Sequence, residues 1–177
     1  MTVAELVESV KRDHPRNKES CKLIRQLYEI ADFVRKVGAE ARFGDLSRAP
    51  LQLLRFELCG DMAECDWIAR RPDEWDSSLE PRIGEIHAST QALSDALRVR
   101  NLLFRVFPGV CTAIVRVYRQ LLDGRRELII TGTVRREQCA PAAVRSLAMR
   151  AKLYGLQFWL DEGILENMQV EEYAINS

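Results

Sequence analysis

The hydrophobic period of the chain changes at Leu51, and no other feature narrows the fold so far. Upstream, apolar residues recur every three or four positions, as on a helix face; downstream they alternate, as on a strand. Leu54, Phe56 and Leu58 alternate with Arg55 and Glu57, and beyond Gly60-Asp61 the residues Ala63, Cys65 and Trp67 alternate with Glu64 and Asp66. A two-residue turn at Gly60-Asp61 pairs Leu58 with Ala63, Phe56 with Cys65 and Leu54 with Trp67, all apolar and all on one face. The opposite face then sets Arg55 against Asp66, a favourable cross-strand pair, and Glu57 against Glu64, an unfavourable one. Asp123-Gly124 predicts a second hairpin between 110–121 and 126–135, pairing Val117 with Ile130, Val115 with Gly132 and Ala113 with Val134.

Each hairpin leads into a helix. The first is expected over about 82–107, with Ile83, Ile86, Thr90, Leu93, Leu97 and Phe104 on one face and Pro108-Gly109 as its stop. The second is expected to open at Pro141, run through Val144, Leu147, Ala148 and Ala151, and end with Gly155 just past its last turn. Leu156 to Leu160 reads as a last strand, with Trp159, like Trp67, in the core.

The first 44 residues read as helical. Thr2 and Glu5 fit a capping box, and His14-Pro15 ends that short helix. A longer helix follows, from about Arg16 to Val37 or Ala41, with a stripe at Leu23, Leu27, Ile30, Val34, Val37 and Ala41. The expected fold is therefore α+β in the order αα-ββα-ββα-β, an antiparallel sheet covered by helices. The helical extension occupies 1–44 and the α+β domain 51–177. Strand 62–70 through strand 156–160 also carries the βαββαβ order of ferredoxin-like folds. The stretch from Arg116 to Gly155 resembles a small BON-type module in its αββαβ order and its Gly132-Thr133-Val134 strand. That resemblance implies an element order and no activity.

Composition excludes more than it identifies. With 177 residues, 47% of them apolar, the chain can build a core without disulfides or metal. The five cysteines, Cys21, Cys59, Cys65, Cys111 and Cys139, contain no C-x-x-C, and the only histidines are His14 and His87, so no zinc spacing is present. The nine glycines lie no closer than six positions apart, which excludes the glycine-rich phosphate loops. No apolar run reaches the length of a membrane span, and the acidic start Glu5, Glu8 is unlike a secretory leader; a cytoplasmic location is expected.

Charge sums to zero but is segregated: residues 98–152 hold twelve basic side chains against three acidic ones. These arginines are spread over two helices and two strands, so specific nucleic-acid binding is not expected. The first candidate site is the carboxylate group Glu57, Glu64 and Asp66 beside Arg55, where repulsion would raise a pKa for acid–base work or oxygen ligands would hold a hard cation. The second is an anion-binding surface of Arg116, Tyr118, Thr133 and Arg135. Partner contacts are assigned to the helix stripe, Leu23, Leu27, Ile30 and Val34, and to Trp75 in its polar loop.

The expected function is a non-catalytic interaction or ligand-binding protein. It would form a homodimer with no cofactor and no metal, and its partner would be an anionic small molecule or a protein. The alternative is a small enzyme acting on an anionic metabolite, anchored by Arg116 and Arg135 with one of the carboxylates as acid–base residue.

Overall fold

The computed structural model describes residues 18–40, 51–71 and 79–168. The short helix expected at 2–14, the loop at 43–50, Trp75 and the C-terminal residues 169–177 lie outside them. Among the described residues three helices, α1 (Lys18–Glu40), α2 (Pro81–Val106) and α3 (Leu147–Leu153), accompany a five-stranded sheet and a small two-stranded one. The large sheet runs in the order β1 (Gln52–Cys59), β2 (Met62–Ile68), β3 (Thr112–Gln120), β4 (Arg126–Arg135), β5 (Leu156–Gln157). β6 (Leu160–Asp161) and β7 (Ile164–Leu165) form the small hairpin. The class is α+β, and the order of elements follows the period changes of the chain.

The sheet is mixed and not purely antiparallel. β2 and β3 are hydrogen-bonded neighbours running parallel, because α2 carries the chain back across the sheet between them. The βαββαβ order is present, but this crossover joins adjacent strands. It therefore lacks the intervening strand of the split ferredoxin-like arrangement.

The first hairpin keeps the register that its turn demands as far as Arg55, whereas the second is one residue off beside its turn, with Gln120 opposite Arg126 and Arg119 opposite Glu127, and takes the expected register only beyond a bulge. Leu58 pairs with Ala63, Phe56 with Cys65, Arg55 with Asp66 and Glu57 with Glu64, with Gly60 at φ 63° in the turn. Between Leu53 and Arg55 the ladder slips, so Leu53, and not Leu54, sits opposite Trp67 and packs on the core. In the second hairpin Ala113–Val134, Val115–Gly132 and Val117–Ile130 pair as expected before a shift between Val117 and Tyr118. That shift turns Ile129 inward beside Ile130, and both are buried.

All three helices lie on one face of the sheet, over Ala63, Cys65, Trp67, Ala113, Val115, Val117, Ile130 and Val134. Trp67 is fully buried, and its indole N–H finds no acceptor among the described residues. α2 is covered along most of its length: Gln91 to Leu93, Asp95 to Leu97 and Leu102 to Phe104 are buried, whereas Ile83 and Thr90 of the expected face are exposed. α1 docks through Phe33 and Val37, with the Phe33 ring tilted against Phe56 at 4.7 Å and against Phe107 at 5.5 Å. The heptad stripe misplaced this face: Phe33 is its centre, and Val34 is 45% exposed.

α3 is shorter than expected. Residues 141–144 form a turn, and the helix starts where Ser146 Oγ accepts a hydrogen bond from the Met149 amide. Gly155 ends it at φ 90°, and a Cβ on Gly132 would fall on the Gly155 carbonyl oxygen, so β4 and β5 meet glycine to glycine. The expected strand 156–160 divides into β5 and β6, and Trp159 between them is 69% exposed instead of core. Pairing of β6 with β7 turns the chain out of the large sheet at that point.

Candidate functional site

The sheet face away from the helices brings the two sequence candidates together. β2 and β3 are neighbours, so the carboxylates of the first hairpin meet the arginine of the second. Arg55 donates from Nε to Glu57 Oε1 at 2.8 Å and from Nη2 to Oε2 at 2.7 Å, and its Nη1 lies 3.4 Å from Glu64 Oε2. Arg116 Nη1 donates to Glu64 Oε2 at 3.1 Å and to Asp66 Oδ1 at 3.1 Å. Guanidinium and carboxylate thus alternate across three strands. The Glu57–Glu64 opposition is relieved because Arg55 lies beside both.

This pairing sets the chemistry of the face. Its hydrogen bonds to Arg55 hold the Glu57 carboxyl below the usual carboxylate range. A general acid working near neutrality needs the opposite shift. Burial alone would lower the Arg116 pKa, but the hydrogen bond to Glu64 and the charge of Asp66 reverse the sign, so its charge is held more firmly. The carboxylate oxygens that would ligate a cation are taken by guanidinium. Among the described residues no cluster of three His, Cys, Asp or Glu side chains is arranged for a metal.

The anion-binding set does not close on a single ligand. Arg135 pairs with Thr112 and Arg116 with Thr131, four positions apart along β3 or roughly 13 Å. Thr133 is exposed opposite Ile114, and Tyr118 is half-buried opposite Leu128, beyond the bulge. Of the expected partner-contact residues, Leu27 and Ile30 are half-buried and Val34 is exposed. The side chain of Leu23 and all of Trp75 lie outside the description.

Much of the basic block is consumed inside the chain. Arg136 donates to the carbonyls of Phe104, Phe107 and Val110 and so caps the end of α2. Arg100 donates to the carbonyls of Arg135 and Gln138 and lies 4.1 Å over the Tyr154 ring. Arg125 is held by Asp123 at 2.6 Å.

A concave site lies elsewhere, on the helix side. A cleft of about 780 Å³ opens at the carboxyl ends of the two parallel strands, where Ala69, Arg70 and Arg71 follow β2 and Arg119 to Leu121 close β3. Glu85, Ala88 and Ser89 of α2 form one wall, and Ile164 to Glu166 another. Arg119 grips Glu127 through Nε and Nη2 at 3.2 and 2.8 Å and donates from Nη1 to the Leu165 carbonyl. Arg70 and Asp95 form a fully buried bidentate pair behind the cleft at 2.8 and 2.6 Å, with Gln91 donating to Asp95 as well. Ser89 Oγ accepts the Leu165 amide and fixes the small hairpin in place.

Sequence reasoning missed these residues. One signal was legible: Asp95 sits among Leu93, Ala96 and Leu97, and an acid on a buried helix face needs a cation from elsewhere. No family model, curated protein or solved structure matches the chain. Among the described residues no helix is long and apolar enough to cross a membrane.

Proposed function

We propose that the chain is a non-catalytic ligand-binding domain acting as a homodimer in the cytoplasm. The observation that carries this reading is the cleft at the carboxyl ends of β2 and β3. Its floor is apolar, with Ala69, Ala88, Leu121, Ile129 and Leu165, and its rim carries the anchored Arg119–Glu127 pair. A crevice outside the carboxyl ends of parallel strands is the favoured ligand position in sheets with helical crossovers. An apolar floor with a few fixed polar groups suits a small organic molecule with one charged end. Free, exposed Cys59, Cys111 and Cys139 fit a reducing compartment. Val34, on the α1 stripe, is left exposed by the described residues. Internal pairing of the basic block favours a neutral role toward nucleic acid.

The alternative, an enzyme acting on an anionic metabolite through Arg116, Arg135 and a carboxylate, has less support. Arg116 is engaged by two carboxylates, and the Glu57 shift is in the wrong direction for an acid. The test is ligand-observed NMR with a set of small carboxylates and amines on wild type and on Ala88→Phe, whose ring would occupy the cleft. Hits lost in a variant that melts like wild type are expected. Identical hits in both proteins would remove the cleft from the reading.

A further inference from the structure

β1 is the outer strand of the sheet, and among the described residues nothing pairs with its free side. Cys59 and Met62 flank the two-residue turn, so the ladder gives Glu57 and Arg55 their hydrogen bonds to β2. The same alternation points the amides and carbonyls of Phe56 and Leu58 at the open edge. Unpaired edges of this kind are templates for another strand unless they are blunted. We propose that this edge is filled by the β1 of a second copy, antiparallel and centred on Phe56, so that the two sheets become one. The inference rests on the homodimer part of the reading above and names the surface that makes it.

Symmetry and charge select the register. A two-fold axis pairing a strand antiparallel with its own copy stands perpendicular to the sheet. It keeps the helices of both copies on one side and sets residues of the same face opposite each other. Within the regular part of β1 the axis can pass through Arg55, Phe56 or Glu57; through Leu58, next to the strand's end at Cys59, it would pair only three residues of each β1. Through Arg55 it opposes two guanidiniums, and through Glu57 two carboxylates, each destabilising. Through Phe56 it places Arg55 opposite the partner's Glu57 and Glu57 opposite the partner's Arg55, so the edge complements its own charges twice. Of Arg55, Phe56 and Glu57, it is Phe56 whose backbone groups are aimed outward, and the on-axis pair exchanges both of its hydrogen bonds. Its ring is tilted against Phe33 of α1 at 4.7 Å and stacks on Phe107 at 5.3 Å, which anchors the side chain at this point of the edge.

The experiment is a charge swap read by light scattering and sedimentation. Arg55→Glu sets like charges opposite each other twice and is expected to raise the dimer dissociation constant roughly tenfold or more. Adding Glu57→Arg restores both oppositions and is expected to return it to within about threefold of wild type. A neutral second variant guards against misfolding. In the proposed register positions 55 and 57 face each other as a non-hydrogen-bonded pair about 4.5 Å apart at Cα, within disulfide reach.

R55C/E57C should therefore form a covalent dimer under mild oxidation, and Arg55→Cys alone should not. Rescue by the swap together with that cross-link supports the interface. A wild-type dimer unmoved by Arg55→Glu and uncross-linked in R55C/E57C would overturn it and leave the homodimer reading to another surface. A wild-type protein monomeric at tens of micromolar would overturn both.

Discussion

The buried pair Arg70–Asp95 and the open-face chain Arg55, Glu57, Glu64, Arg116 and Asp66 use the same two functional groups in opposite surroundings. Behind the cleft, both side chains of the pair are shielded completely, with relative exposures of 0% and 1%. On the open face, Arg55 and Glu57 are about half exposed, and water shares the work of solvating them. Desolvation makes the first pair dependent on its partner, since either charge alone would be stranded in low dielectric. Screening makes the second set interchangeable in energy, though not in arrangement. Position of charge on the open face therefore bears on recognition more than on stability.

The sharpest way to break this contrast is to remove one partner on each side. Asp95→Ala leaves the Arg70 guanidinium buried with Gln91 beside it, and urea unfolding should record a loss of about 3–5 kcal/mol. Glu64→Gln removes a carboxylate that two arginines share in partly exposed surroundings, and the same measurement should record less than about 1 kcal/mol. Equal losses at the two positions would show that the faces do not differ in this way.

Acid titration gives the smallest and most selective effect. Glu57 has a folded pKa depressed by Arg55, so its stabilising contribution is complete above the unfolded-state value, near about 4.3, and is lost as pH falls through the lower folded value. The difference in melting temperature between wild type and Glu57→Gln should thus shrink to nothing on acidification. A difference that persists unchanged into strong acid would sink the assignment of Glu57 to this pair.

Much of the fold was legible because its signals are local. The turn at Gly60-Asp61 set the first register correctly as far as Arg55, while the pairing expected from Asp123-Gly124 holds only over the half of the second hairpin away from its turn. Register failed at Leu53 and beyond Val117, where each ladder admits an extra residue. Nothing in the alternation of Leu53, Leu54 and Arg55 announces a bulge, since two adjacent leucines satisfy either face. α1 was found, but its buried face was misjudged: Phe33 lies beside the heptad stripe and becomes its centre because Phe56 and Phe107 wait across the gap. Trp159 was placed in the core by strand alternation, and the division of that strand between two sheets turned it outward. Of the candidate sites, every charged member of the first was visible, while the cleft was not. Its lining comes from the ends of β2 and β3, the start of β4, one turn of α2 and the small hairpin, five stretches of the sequence.

Period and turn chemistry alone determined the order of helices and strands among the described residues, where the hairpins reverse and the pairing over one half of each hairpin, because these depend on neighbours a few positions apart. Tertiary structure decided that β2 and β3 lie side by side and parallel, and with that contact it decided what the charges do. Arg116 is an anion anchor in isolation and an ion-pair partner once Glu64 and Asp66 lie beside it. A charged group takes its role from whatever stands within a few ångströms, and in this sheet those neighbours are about fifty residues away along the chain.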